Sequence, residues 1–166
     1  MVFNDTVGED IIEKVYLPLK DFEDDDSTEP VTLIINSEGG SVTEGFFIAY
    51  YIASYKKPLK IIVTGCAASI AAVILAGGTN NKNITRYCYP NSFGLIHDGY
   101  VALASSESKT ASDIMAFNET VDEKIKEFIL QNTTIPEELY DSKMRHQWFL
   151  TAEEMKEYKL IDEIIK

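Results

Sequence analysis

The stretch Lys60-Ile61-Ile62-Val63-Thr64-Gly65-Cys66-Ala67-Ala68-Ser69-Ile70-Ala71-Ala72-Val73-Ile74-Leu75-Ala76 decides how the rest of the chain is read. Its β-rich opening gives way to small residues around Gly65 and then to an apolar run holding a single hydroxyl. That is the pattern of a strand, a tight turn and a buried helix opening at or near Ser69. A serine at a helix mouth sits among unpaired backbone N–H groups and the positive end of the helix dipole, where an anion forming on an acyl group is stabilised. Serine is also among the commonest N-caps, so from this stretch by itself the capping role is the commoner one.

The segments on either side repeat the pattern. Val31-Thr32-Leu33-Ile34-Ile35 is a near-continuous apolar run suited to a strand buried on both faces, and it ends in Asn36-Ser37-Glu38-Gly39-Gly40-Ser41. A helix follows over 42–55, apolar around most of its circumference. Strand, helix, strand, helix predicts an α/β fold of stacked βα units on a parallel sheet. Upstream, apolar residues recur at helical spacing from Glu9, with Pro18 expected to kink or end the helix. The acidic run from Asp21 to Pro30 reads as a solvated loop.

Downstream, Ile84 to Tyr89 and Phe93 to His97 read as short strands, and Asp98 to Lys109 as a polar loop. From Thr110 to Gln131 a long helix carries one apolar stripe through Ile114, Phe117, Val121, Ile125, Phe128 and Ile129. On pattern, its own core and a second subunit are equally suitable partners for that stripe. A short helix from Pro136, an extended Trp148-Phe149-Leu150, and a capping box at Thr151-Ala152-Glu153-Glu154 opening a last helix complete the reading.

Composition narrows the function. At 166 residues, 45% hydrophobic and 25% charged, the sequence suits one domain over 1–166 with a core of its own. A formal net charge of −12 argues against nucleic acid and anionic membrane as partners, because both need a basic surface. No apolar run is long enough to span a bilayer and no signal-peptide pattern opens the chain, so a cytoplasmic location is expected. Cys66 and Cys88 fit no metal spacing and are expected to be reduced; no metal or organic cofactor is called for.

Gly39-Gly40 and Ser69 lie at the carboxyl ends of successive predicted strands, where open α/β sheets hold their ligands. The N–H of Gly40, with no side chain to shield it, and the N–H of Ile70 would then make a two-donor oxyanion hole facing Ser69. A phosphate cradle is the weaker reading, since there is no P-loop lysine and Glu38 would repel phosphate. Of the two histidines, His97 ends an apolar strand from which an imidazole reaches a cleft, whereas His146 lies in a polar segment.

Four blocks carry a family resemblance: Ile35 to Val42, Gly65 to Ile70, Arg86 to His97, and Phe149 to Asp162. In this order and spacing they resemble the ClpP family of serine peptidases. The resemblance implies the ClpP/crotonase-like fold of stacked βαβ units with a protruding handle helix, the handle region covering about residues 98–132. It implies Ser69 as nucleophile, His97 as base, and Gly40 and Ile70 as oxyanion donors. It also implies a serine-type endopeptidase cutting peptide or unfolded protein inside a ring-shaped chamber, a homo-oligomer of heptameric rings or a stacked tetradecamer.

Three departures stand against the family pattern. The third triad position, an Asp in the family, holds Gln147, whose amide can orient an imidazole but brings no charge to stabilise imidazolium. Glu38 stands where the family usually has Pro. The chain begins close to its first helix, without the longer axial segment through which relatives meet a Clp-type ATPase, which weighs against that partner. A catalytically impaired structural or scaffold subunit is therefore the alternative, and a crotonase-like acyl-CoA enzyme a weaker one.

Overall fold

The computed structural model describes residues 1–98, 108–144 and 146–166. The elements in chain order are β1 (Val2–Asn4), a π-helical turn (Ile12–Tyr16), α1 (Leu17–Asp24), β2 (Val31–Ser37), α2 (Val42–Ser54), β3 (Leu59–Ala68) and α3 (Ile70–Gly77). They continue with β4 (Ile84–Cys88), β5 (Phe93–Ile96), α4 (Ser108–Asn132), α5 (Glu137–Lys143), β6 (Trp148–Leu150), α6 (Ala152–Glu157) and β7 (Glu163–Ile164).

The sheet is ordered β1-β2-β3-β4-β7, all parallel, with β5 and β6 branching from it. The long β3 explains the branch. Its first half, Leu59 to Val63, pairs with β4, and its last residues, Cys66 to Ala68, pair with β5. Antiparallel β6 then lies on β5, with Ile96 opposite Trp148. The strand end that delivers Ser69 is thus flanked by the strand end that delivers His97.

Why these residues form these elements follows from burial. Every residue of α3 from Ile70 to Gly77 is buried, as a helix apolar on all sides requires. Small residues in it let α2 pack closely across its face. Along β2 the burial alternates, with Val31, Leu33, Ile35 and Ser37 inside and Thr32, Ile34 and Asn36 half-buried. The expectation of equal burial on both faces is therefore corrected, since two of the three residues on the second face are polar.

Pro18 does not end its helix. The widened π turn at Ile12–Tyr16 runs without a break into α1, with Leu17 N–H bonded to Ile12 O, and this wider turn directly before Pro18 takes up a residue that has no N–H to give. The helix consequently runs on to Asp24, into the acidic stretch read as loop. The capping box opens α6 as expected: the Thr151 hydroxyl accepts the Glu154 N–H at 3.2 Å, and the Glu154 carboxylate accepts the Thr151 N–H at 2.8 Å. The polar loop expected over Asp98 to Lys109 lies mostly outside the described residues.

The long helix divides in two. Ile125, Phe128 and Ile129 are buried against the core, whereas Met115 and Phe117, at 57% and 66% exposure, stand out from it. The stripe therefore packs on its own domain at one end and projects at the other, as a handle does. No helix among the described residues is long and apolar enough to cross a membrane.

Candidate active site

Ser69 joins β3 to α3 in an unusual backbone conformation, φ 55° and ψ −128°. Such a conformation costs on the order of 1–3 kcal/mol for a residue with a side chain and persists only where its surroundings impose it. Here the Ser69 N–H donates to Leu95 O on β5 at 2.8 Å, and Ser69 O accepts the Ala72 N–H at 3.0 Å. One bond ties the turn to the sheet and the other starts the helix. The sharp turn frees the side chain from the helix it caps: no hydrogen bond from Ser69 Oγ closes the cap.

Gly39 presses against this turn. A Cβ built on it would lie 2.6 Å from Ser69 Cβ and 2.7 Å from Ala68 O, and its φ of +98° is one that side chains rarely adopt. Gly39→Ala is expected to push the Ser69 turn out of place. A shift of about 1 Å costs about 100-fold in turnover, so the rate of active-site probe labelling should fall by at least that factor, read alongside a Tm several degrees lower.

Gly40 pairs in parallel with Val7, through Val7 N–H to Gly39 O and Ser41 N–H to Val7 O, both 2.7 Å. That bridge uses the groups on either side of Gly40 and leaves its own N–H turned the other way. The N–H of Ile70, at the first position of α3, likewise has no intrahelical partner. Gly40, Ser69, Ile70 and His97 line one cavity of about 250 Å³, whose other walls among the described residues are apolar: Val42, Ala72, Val73, Ile96, Ile125 and Ile129. Two backbone donors, a hydroxyl and an imidazole are thereby brought to one space.

His97 is half-buried at the end of β5. Its Nδ1–H donates to the backbone carbonyl of Asp98, and with that proton engaged the Nε2 lone pair is left to accept another. Gln147 does not take this role. Continuing the β5–β6 register one step beyond Ile96 and Trp148 puts Gln147 opposite His97, yet it is exposed, and among the described residues no hydrogen bond joins the two. The neighbouring carboxylates stand elsewhere: Asp141 pairs with Lys126 at 2.7 Å, and Asp113 is exposed. The Asp98 carboxyl is held above the usual carboxylate range by partial burial and then by Asp122, against the pull of His97.

The residues set aside on sequence grounds remain outside the site. His146 is exposed. Cys66 is buried, its Sγ donating to Ser37 O at 3.3 Å, and burial together with Glu38 pushes the thiol upward, away from the thiolate form a nucleophile needs. The Asp98 carbonyl is the contact that sequence reasoning missed. Every residue carries such an oxygen, so no side-chain pattern marks it.

A parallel α/β stack with an antiparallel β5–β6 arm, a strained serine at a strand–helix turn and a projecting helix defines the ClpP/crotonase-like class of fold. The family model described as Clp protease matches residues 1–166, and the chain belongs to that family, which is one of serine peptidases that form oligomeric rings and act on peptide substrates. Among solved structures the chain is similar to an asparagine-to-aspartate mutant of ClpP1 from Listeria monocytogenes. The TM-score is 0.84 at 23% identity, with 100% of this chain and 90% of that chain covered.

Proposed function

We propose that this chain is a ClpP-like serine endopeptidase in which Ser69 is the nucleophile, His97 the general base, and the N–H groups of Gly40 and Ile70 the oxyanion donors. One observation carries the reading: the backbone-strained Ser69 shares a single cavity with His97 and two backbone N–H groups that no strand or helix uses. In the reaction Ser69 Oγ bonds to the peptide carbonyl carbon as its proton passes to His97 Nε2, and the carbonyl oxygen takes up the negative charge against Gly40 and Ile70. The C–N bond then breaks, the departing amine takes the proton from His97, and water, deprotonated by the same imidazole, releases the acyl group. The apolar walls suit an apolar side chain next to the bond that is cut.

The Asp98 carbonyl supplies what the family's carboxylate supplies in orienting the ring, without its charge. Gln147→Asp, placed opposite His97 by the strand register, is expected to raise kcat by roughly 10- to 1000-fold, below the full effect of about 10⁴ that an Asp-to-Asn change has at the third triad position in another fold. An unchanged kcat would leave the Asp98 carbonyl as the sufficient partner. Assembly into heptameric rings, stacked as a tetradecamer through α4, is part of the same proposal, supported by the exposed Met115 and Phe117; so is a cytoplasmic location.

A fluorophosphonate probe tests the reading on the assembled protein. Labelling mapped to Ser69 supports it, and absence of labelling returns the chain to the scaffold role that Gln147 favours. Acyl-CoA chemistry draws no support from the cavity, whose lining among the described residues includes no lysine or arginine to meet a CoA phosphate.

A further inference from the structure

Between its two halves β3 is interrupted. Ile35 on β2 lies beside Val63 and Ser37 beside Ala67, so Asn36 faces Thr64, Gly65 and Cys66 where a regular ladder would set one residue. On its other side β3 changes partner over the same residues, from β4, whose pairing ends at Val63, to β5, whose pairing begins at Cys66. The half of β3 that delivers Ser69 is thus offset from the half that anchors it. Register is weakly held where pairing lapses in a segment containing glycine, so something else must fix the offset.

The Asn36 side chain occupies the break. Its Oδ1 accepts the N–H of Cys66 at 3.0 Å, in the place of a β2 carbonyl, and its Nδ2 donates to Asn4 Oδ1 on β1 at 2.6 Å. The Cys66 N–H can only donate, so the amide has one usable orientation, and through it β1, β2 and β3 are joined at their carboxyl ends. Gly65 makes room for this amide, since a Cβ there would lie 2.3 Å from Asn36 Oδ1. From Cys66 onward the ladder is unbroken: Ala67 lies beside Ser37 and Gly94, Ala68 beside Leu95, and the Ser69 N–H donates to Leu95 O at 2.8 Å.

We infer that Asn36 is a positioning residue for the nucleophile: its amide fixes where the second half of β3 begins, and so where the Ser69 turn stands relative to Gly40, Ile70 and His97. Three residues of paired strand, about 10 Å, pass a displacement at Cys66 on to Ser69. Asn36 does not line the cavity that holds Ser69 and His97, so its effect runs through the backbone and not through contact with substrate. The inference rests on the peptidase reading for its effect on turnover, and backbone hydrogen exchange separates the two.

Asn36→Leu keeps the branched shape of the side chain and removes the acceptor. Asn36→Asp keeps the acceptor, and Asn4 can turn its own amide to donate to the second oxygen. In the full-length, assembled protein Asn36→Leu is expected to lower kcat and the rate of fluorophosphonate labelling 10- to 100-fold, the order of loss for a misplacement of up to about 1 Å. KM should stay within about threefold, because the walls of the cavity are untouched. Asn36→Asp should bring kcat back to within about threefold of wild type. Gly65→Ala, whose Cβ would displace the amide, should reproduce the loss with Asn36 in place. Asn4→Ala cuts only the bond to β1 and should leave kcat within about twofold even where its Tm falls as far as that of Asn36→Leu, a separation that a merely structural role would not give. Hydrogen exchange of residues 64–70 reads the same device without substrate: protection should fall at least tenfold in Asn36→Leu and Gly65→Ala and hold in Asn36→Asp and Asn4→Ala. A kcat loss in Asn36→Leu no greater than in Asn4→Ala overturns the inference, as does a loss confined to KM or an unchanged exchange pattern. Should Asn36→Leu fail to assemble, Gly65→Ala against Asn4→Ala makes the same comparison. Wild-type protein that neither hydrolyses peptide nor takes the label overturns the peptidase reading, and exchange then decides by itself whether Asn36 holds the turn.

Discussion

Replacing Ser69 with alanine is expected to abolish fluorophosphonate labelling and to lower peptide hydrolysis by on the order of 10⁴- to 10⁶-fold, as deletion of the nucleophile does in serine hydrolases of another fold. The size of the effect follows from the roles the geometry assigns. Without Oγ there is no acyl-enzyme, and what remains is the oxyanion pair of Gly40 and Ile70 acting on a water. Stability should hardly move. The bonds that shape the turn, Ser69 N–H to Leu95 O and Ala72 N–H to Ser69 O, belong to the backbone and survive in alanine, and no hydrogen bond of the hydroxyl caps α3. The separation of the two readouts is the informative part. A Tm within about 1–2 °C of wild type, with an unaltered native mass, would place the loss in chemistry. Hydrolysis that persisted at more than a few per cent of wild type would remove Ser69 from the reaction.

His97→Ala should lower the same rate by a comparable factor, because nucleophile and base act as one unit, and the double variant should be little worse than either. That non-additivity checks the shared cavity more stringently than either single loss does.

The parts of this chain that were legible in its sequence share a physical cause. The Lys60–Ala76 stretch could be read because an apolar strand, a small-residue turn and a helix buried on every side each leave a periodicity, and one hydroxyl in such a run is conspicuous. Gly39-Gly40 could be read because only glycine suits the positive φ values found there. The stripe on α4 announced its length, but not that Ile125 to Ile129 would be buried while Phe117 projects, since a helix that leaves its domain keeps the same period throughout. Pro18 misled because the π turn directly before it lets the helix continue past a residue that has no N–H, and a widened turn leaves no mark in the apolar periodicity. β1 went unread because three residues, Val2 to Asn4, are too short to show alternation; they are fixed instead by β2, on which they lie. The orientation of His97 was out of reach for a different reason. A carbonyl oxygen is present at every position, and only the chain's path past Ile96 brings one to Nδ1.

A larger effect on stability is expected away from the chemistry, at the contact that fixes the C-terminal segment to the sheet. Arg86 is on β4 and only 1% exposed. Its Nε donates to Asp162 Oδ2 at 3.1 Å and its Nη2 to Oδ1 at 2.7 Å, a fork matched to a carboxylate, while Nη1 donates to Lys159 O at 2.9 Å and to Thr79 Oγ1. The backbone repeats the link, Arg86 N–H to Asp162 Oδ2 and Asp162 N–H to Arg86 O, and β7 begins at the next residue. The two partners are not equivalent. The Asp162 side chain keeps 37% of its surface in water, whereas that of Arg86 keeps 2%. Removing the carboxylate strands a guanidinium in the interior; removing the guanidinium leaves a carboxylate that water can reach. Asp162→Ala is therefore expected to cost about 3–5 kcal/mol and to lower Tm by roughly 10 °C in a chain of this length. Arg86→Met, which fills the same space with an apolar chain, should cost about 1–3 kcal/mol, the toll of the acceptors left at Lys159 and Thr79. Thermal unfolding of the two variants, with Asp162→Asn as an intermediate that keeps one acceptor, gives the order directly. An Arg86→Met loss larger than that of Asp162→Ala would mean that the charge is solvated through an opening of the fold and that the fork holds nothing together.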